Sequence, residues 1–161
     1  MENKLIKRET AGGVVMNESG DILLVQQKGK GFWTFPKGGI DKKTEETALS
    51  AAKREIWEES GIEEKDLEQI EDFVETYDRP DTEKENVMQI ISMFVFKTKK
   101  IGLNIPPEFQ SEIGEARWVK RDEVANLLAA PKDKEFFLRL LDLLPEMLEE
   151  IRSEINNERV S

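Results

Sequence analysis

The sequence predicts one domain of the α+β or α/β/α class, covering residues 1–161. A length of 161 residues lies within the usual range for a single domain. Strand-like and helix-like segments follow each other in mixed order: strands, a helix, more strands and then helices. No internal repeat or low-complexity linker divides the chain. We therefore expect a sheet and helices that share one core.

The first third of the chain predicts a strand pair followed by a helix. Strands are expected at Ala11–Asn17 and Ile22–Gln27, with a turn between them. The segment Lys28–Ile40 is rich in glycine and aromatic residues and interrupts this pattern. A helix is predicted from about Thr44 to Ser60, because an acidic first turn suits the helix dipole and a glycine follows. Its small and apolar positions form one face for close packing on a sheet: Ala48, Ala51, Ala52 and Ile56.

The rest of the chain predicts more strands and then helices. Long strands are expected near Glu68–Asp78 and Val87–Lys99, and a short strand at Ala116–Lys120 precedes a helix from about Asp122 to Ala129. Apolar residues then step by three and four from Phe137 to Ile155, which predicts an extended helical segment over about residues 132–158. Pro145 lies inside this segment and predicts a kink or a new helix start.

The composition excludes several kinds of chemistry. The chain has no cysteine and no histidine, so disulfides and thiol nucleophiles are excluded and zinc is disfavoured. A hard cation such as Mg²⁺ with oxygen ligands is the metal that fits. The net charge of -10 disfavours a nucleic-acid partner, because it repels polyanions. The apolar runs are too short to cross a membrane, and no export signal is present, so we expect a cytoplasmic protein.

Three glutamates give the first indication of a metal site. Glu55, Glu58 and Glu59 are related by three and four positions, so on a helix they lie on one face. Like charges at this spacing weaken a helix unless something compensates them, and a divalent cation is one such partner. Glutamate-rich helix faces are usually solvated surface, so this pattern alone is weak.

The longer string around these glutamates is far more specific. Arg54–Ile62, with the sequence Arg-Glu-Ile-Trp-Glu-Glu-Ser-Gly-Ile, resembles the second half of the Nudix box. The box also has a glycine and an earlier glutamate, which Gly39 and either Glu45 or Glu46 match with one extra residue. We place this insertion in the loop Asp41–Glu45, where one more residue costs little. The sequence alone does not decide which of Glu45 and Glu46 is the earlier glutamate of the box.

Other segments carry the same resemblance over about residues 8–130. Arg8–Val15 and Ile22–Gln27 are similar to the first two core strands of Nudix proteins. Trp33–Gly39 resembles the segment that precedes the box in several polyphosphate-cleaving branches. Glu112–Val119 resembles the later segment that often supplies a further glutamate. The resemblance implies a Nudix α/β/α sandwich with a mixed sheet.

The resemblance also implies a metal-dependent hydrolase of pyrophosphate bonds. It implies that Mg²⁺ or Mn²⁺ is held by Glu55, Glu58 and Glu59 with the Gly39 carbonyl nearby. Arg54 would orient a box glutamate. Cations would neutralise phosphate oxygens while water attacks phosphorus, and Glu55 or Glu112 would accept the proton.

Candidate substrate contacts follow from the same comparison. Lys37 suits a phosphate contact, with a solvated loop lysine as the alternative. Tyr77 corresponds to a tyrosine that stacks on a base in dinucleoside polyphosphate hydrolases, with an ordinary strand aromatic as the alternative. Trp33 and Phe35 suit a base pocket, although Phe35 also suits the core. Arg8 completes the set of substrate-binding candidates.

The preferred substrate is a dinucleoside polyphosphate, by analogy with diadenosine tetraphosphate hydrolases. Nucleoside triphosphates, ADP-ribose or other nucleotide sugars, and the 5′ end of RNA are alternatives. A different class of function is a non-catalytic module that senses a nucleotide. Such domains usually lose one or more glutamates of the box, whereas Glu55, Glu58 and Glu59 are all present here. Monomer and homodimer both stay open.

Overall fold

The computed structural model describes residues 4–81 and 84–143. Seven strands are present in these residues: β1 Ile6–Met16, β2 Ile22–Gln27, β3 Trp33–Thr34, β4 Lys37–Gly39, β5 Glu68–Pro80, β6 Val87–Lys97 and β7 Ile113–Val119. The helices are α1 Ala48–Ser60, α2 Arg121–Leu127 and α3 at residues 131–143. Short 3₁₀ turns occupy Glu64–Asp66 and Pro107–Phe109. No helix of the described residues is long and apolar enough to cross a membrane.

The strands form one mixed sheet in the order β3-β2-β1-β6-β5. The long strand β1 lies parallel to β6 along its whole length, and every other strand pair is antiparallel. Strand β4 pairs with the middle of β1, where Gly12 faces Lys37. A side chain at Gly12 would overlap the carbonyl oxygen of Pro36, so only glycine lets the two strands approach this closely.

Helices cover both faces of the sheet and create two cores. On one face the small residues Ala51 and Ala52 and the longer Ile56 of α1 are fully buried against β1 and β6. On the other face the aromatic residues Phe35, Phe136 and Phe137 pack between the sheet and helices α2 and α3. This arrangement is the α/β/α sandwich with a mixed sheet that the sequence predicted.

Three predicted starts were wrong. Strand β7 begins at Ile113 rather than Ala116, and the other two differences have a physical reason. Strand β1 begins at Ile6 rather than Ala11, because its exposed first half forms a parallel ladder with β6 that burial patterns do not reveal. Helix α1 begins at Ala48 rather than Thr44, so it has no acidic residue in its first turn. The segment predicted over about residues 132–158 is helical to residue 143, and Pro145 lies outside the described residues.

Candidate active site

Helix α1 carries the glutamates of the candidate site and has a defined start and end. Thr47 caps its start, because its hydroxyl accepts a hydrogen bond of 3.1 Å from the Ser50 amide. Gly61 ends the helix in the left-handed conformation, with a φ of 82°, and donates its amide to the Trp57 carbonyl. Between these caps, the last two turns of the helix carry Glu55, Glu58 and Glu59.

The structure distinguishes Glu45 from Glu46, the two candidates for the earlier glutamate of the box. Glu46 accepts hydrogen bonds from Nε and Nη2 of Arg54 at 2.8 and 2.9 Å, and another of 3.0 Å from the Asp41 amide. The hydrogen bonds from Arg54 hold the pKa of Glu46 below its ordinary value. Glu45 is exposed and has a positive φ of 55°, a backbone conformation that is uncommon for residues other than glycine.

Arg54 connects this loop to the helix and to strand β4. Its Nη1 donates to Glu55 at 2.9 Å and to Glu58 at 3.2 Å, while Nη2 also donates to the Gly39 carbonyl at 3.0 Å. The hydrogen bonds that Arg54 donates to Glu46 and the charges of Glu55 and Glu58 raise the pKa of Arg54, so its charge is permanent. The guanidinium of Arg54 therefore holds Glu46, Glu55 and Glu58 in place, together with the backbone carbonyl of Gly39.

Two of the helix glutamates lie in an environment that opposes their negative charge. Burial, and then repulsion from Glu58, raise the pKa of Glu55 to about 7, although Arg54 opposes this rise. Glu59 is only 7% exposed, and its pKa is raised well above the ordinary value, chiefly by burial and then by Glu55. One oxygen of Glu59, Oε2, is buried and has no hydrogen-bond partner among the described residues.

These features fit a divalent cation. Within residues 4–81 and 84–143, no three acidic side chains already form a metal-binding group, and Arg54 holds both Glu55 and Glu58. The buried, unpartnered oxygen of Glu59 nevertheless needs a positive partner, and all the available ligands are hard oxygen atoms. Gly38 adds to this fit, because a side chain there would overlap the carboxylate of Glu55.

Two adjacent cavities open beside the helix. The first, which we call the acidic cavity, has a volume of about 430 Å³ and is lined by Glu55, Glu58, Glu59 and Glu112, among others. The second, the aromatic cavity, has a volume of about 630 Å³ and is lined by Phe32, Trp33, Pro80 and Pro131, among others. Both cavities share the same boundary residues: Arg8, Gln27, Lys37, Gly38, Gly39 and Glu59.

Several residues that the sequence analysis proposed for substrate binding or catalysis line these cavities. Arg8 is exposed and lines both cavities. Trp33 lines the aromatic cavity, and the guanidinium of Arg117 lies 4.8 Å from its ring centroid. Glu112 is exposed at the acidic cavity. Phe35 is fully buried and belongs to the core.

Lys37 is part of a buried charge network rather than a solvated loop. Its ammonium group lies 3.2 Å from Asp133 and also donates to the hydroxyl of Thr34. Burial lowers the pKa of Lys37, and the nearby Asp133 opposes this shift. Arg79 lies at 3.5 Å from the same carboxylate oxygen of Asp133. Both cations line the aromatic cavity.

The structure places Tyr77 in the core rather than at the aromatic cavity. Its ring stacks on Phe136, with centroids 5.2 Å apart, and only 9% of the residue is exposed. Its hydroxyl donates a hydrogen bond of 2.6 Å to Asp133. Burial raises the pKa of this hydroxyl, so it stays protonated and orients Asp133. The ordinary strand aromatic, which was the alternative to base stacking, describes this position better.

Sequence reasoning missed Arg79 and Asp133. Arg79 follows Tyr77 by two positions on a strand, and therefore points to the same face, which is a signal that was available. Asp133 follows Pro131 near the start of α3, and nothing in its local sequence indicates that it meets residues more than fifty positions away.

Comparisons with known proteins find similar sequences and similar folds. The model of the NUDIX domain family matches residues 6–140. A MutT-like protein of Streptomyces ambofaciens is 28% identical over 144 residues, which make up 89% of this chain and 81% of that protein. An RNA pyrophosphohydrolase of a Psychrobacter species is 42% identical over 55 residues, but these cover only 34% of this chain and 31% of that protein. A solved binary complex of Ap4A hydrolase from C. elegans shares the fold, with a TM-score of 0.73, 22% identity and coverage of 86% of this chain and 98% of that chain.

Proposed function

The chain belongs to the NUDIX domain family and is a pyrophosphohydrolase, and from this premise we propose that it cleaves a dinucleoside polyphosphate with Mg²⁺ or Mn²⁺ as its cofactor. The observation that carries the proposal is the pair of cavities that share Lys37, Gly38 and Gly39. The acidic cavity suits a cation and the phosphate chain. The aromatic cavity has the size of a nucleoside pocket and combines aromatic side chains with polar and charged ones.

Glu55, Glu58 and Glu59 would hold the cation, with the carbonyl of Gly39 beside them. Gly39 already lies close to these groups, since Arg54 donates to its carbonyl and to two of the three glutamates. A bound divalent cation supplies neutralisation of phosphate oxygens and polarisation of water. It would also satisfy the buried oxygen of Glu59 and offset the repulsion between Glu55 and Glu58.

The protein itself would orient the phosphates and accept the proton. Lys37 lies at the boundary of both cavities, so its ammonium group is placed to contact a phosphate that passes from one cavity to the other. Water attacks phosphorus, the bond from phosphorus to the bridging oxygen breaks, and the departing phosphate takes the electron pair. Glu55 is our first candidate for the proton acceptor and Glu112 is the second, because both carboxylates line the acidic cavity in which the water would lie.

A second candidate substrate is the 5′ end of RNA. The RNA pyrophosphohydrolases support it through 42% identity over 55 residues, although this chain spans only about a third of their length. The net charge of -10 opposes a long polyanion, so we rank RNA below the dinucleoside polyphosphates. The fold similarity to the Ap4A hydrolase of C. elegans supports the first choice.

The test is a substrate panel with purified protein. The panel contains dinucleoside polyphosphates, nucleoside triphosphates, ADP-ribose and RNA with a 5′ triphosphate, each with Mg²⁺, with Mn²⁺ and with chelator. We expect metal-dependent cleavage with a dinucleoside polyphosphate as the best substrate. Glu58→Gln should abolish most of this activity, whereas Glu63→Gln, a matched change at an exposed glutamate just beyond the helix, should not. Faster cleavage of RNA or of ADP-ribose would contradict the substrate proposal.

A further inference from the structure

A row of hydrogen-bonded side chains lines one wall of the aromatic cavity. Asp133 accepts from Arg79 at 3.5 Å, Arg79 donates to Gln89 at 3.4 Å, and Gln89 donates to Asp81 at 2.7 Å. Arg79 and Gln89 are direct neighbours on the adjacent strands β5 and β6. All four residues line the same cavity. The backbone of the sheet therefore fixes where these polar groups stand.

The wall carries charges of both signs. Arg79 and the nearby Lys37 are positive, whereas Asp133 and Asp81 are negative; the rest of the cavity lining adds Arg8, Lys132 and Glu59. Burial by itself would raise the pKa of Asp81, but hydrogen bonds from Gln89 and from the Lys84 amide lower it below the ordinary value, so this carboxylate stays ionised. A further phosphate would meet two carboxylates here. A neutral group that offers both donors and acceptors is the better match.

Arg79 has donors to spare for such a group. Only 9% of the residue is exposed, and its Nε has no hydrogen-bond partner among the described residues. Its two hydrogen bonds to the wall, at 3.5 and 3.4 Å, are long. The buried Nε is out of reach of a ligand, but the two hydrogen bonds to the wall use only one N–H on Nη1 and one on Nη2, so each of these nitrogens keeps a second N–H for a ligand acceptor.

The order of these groups matches one base. Guanine presents an acceptor at O6 beside two donors, N1–H and the N2 amino group, whereas adenine has an amino group at the position of O6 and lacks the N1–H and N2 donors. Arginine donates to the O6 and N7 acceptors of guanine, and a carboxylate accepts from its two donors. We propose that Arg79 and Asp81 select guanine in the aromatic cavity, with Gln89 holding both at the required separation.

Other residues of the cavity suit the rest of a base. Phe32 and Trp33 line the cavity with aromatic side chains, although only 9% of Trp33 is exposed and the Arg117 guanidinium lies 4.8 Å from its ring centroid. Lys37 lies between this cavity and the acidic cavity, where the phosphates of the same nucleotide would continue. The inference rests on the proposed function and makes it more specific, since it names guanosine as the nucleoside that this cavity takes.

Binding of mononucleotides tests the inference separately from catalysis, because GMP, IMP and AMP contain no anhydride to cleave. With full-length protein and Mg²⁺, calorimetry should show that GMP binds about 5- to 150-fold more tightly than AMP. IMP, which lacks the N2 amino group, should lie between them. Asp81→Asn should bring GMP down to the affinity of IMP and leave AMP nearly unchanged, because an amide replaces one acceptor by a donor. Asp142→Asn, the same change at an exposed residue outside both cavities, should alter nothing.

Three results of the binding measurements would overturn the inference. The first is equal affinity for GMP and AMP, the second is an equal loss of both in Asp81→Asn, and the third is no binding of either to the folded protein. Arg79→Gln provides a second variant, which should reduce GMP affinity more than AMP affinity. Equal cleavage of diadenosine and diguanosine tetraphosphate would refute guanine selection and leave the proposed function intact. Selective GMP binding without cleavage of either compound would support guanine selection and refute the proposed function.

Discussion

Gly38→Ala should remove activity while leaving the fold intact. A Cβ added at Gly38 would stand 2.5 Å from Oε2 of Glu55 and closer still to the other carboxylate atoms, whereas ordinary contact begins at 3.4 Å. The carboxylate of Glu55 must therefore move by roughly 1 Å. A displacement of this size at a catalytic group costs on the order of 100-fold in rate. We expect kcat/KM to fall by about that factor. We also expect Mg²⁺ to bind more weakly, because Glu55 is one of its proposed ligands.

The stability of the same variant should change little. The overlap involves the far end of a flexible side chain, and Gly38 does not have a positive φ, so alanine suits its backbone. We expect the free energy of unfolding to change by no more than about 1 kcal/mol, which is a shift in Tm of about 2–4 °C. Gly12→Ala is the contrasting variant, because its Cβ would overlap the backbone of Pro36 and Lys37 and should lower Tm strongly.

The assay combines thermal unfolding with steady-state hydrolysis across a Mg²⁺ titration, for both glycine variants and the wild type. Full activity in Gly38→Ala would refute the reasoning, because it would show that Glu55 does not need its present position. A large drop in Tm for Gly38→Ala would refute it differently, by showing that the contact between strand β4 and the helix is rigid.

Three further predictions concern the charged groups. The metal-free protein should lose stability as pH rises from about 4.5 to 7. Glu55 has a raised pKa of about 7, so in this window the folded state binds a proton that the unfolded state has released. Tm measured in chelator at pH 5 and pH 8 checks this, and a flat or rising Tm contradicts it. Arg54→Lys keeps the charge but loses the paired hydrogen bonds to Glu46, so kcat should fall at least about tenfold, with an unchanged kcat as the contrary result. Tyr77→Phe should lower the free energy of unfolding by about 1–3 kcal/mol, because the buried Asp133 loses a donor; unchanged stability in chemical denaturation would contradict this role of the hydroxyl.

Much of the fold followed from patterns that extend over only a few residues. The hairpin between β1 and β2, the burial of Ala51 and Ala52, and the end of α1 at Gly61 were all predicted from periodicity and turn residues. The start of α1 was predicted wrongly at about Thr44, because a threonine there has the side chain of a cap just as Thr47 does. Only the closed loop before the helix, in which Glu46 bonds the Asp41 amide, leaves Thr47 as the cap.

The sequence by itself determined the chemistry that is possible and where most of it resides. The absence of histidine and cysteine restricts the ligands to oxygen, and the helical repeat alone puts Glu55, Glu58 and Glu59 in the last turns of α1. Tertiary structure decided which groups surround them. Lys37 is buried because Asp133, 96 positions away, packs over it, and Tyr77 turns to the core because its hydroxyl meets the same carboxylate. Local spacing fixes directions along one element, whereas burial and charge pairing depend on which distant elements the sheet brings together.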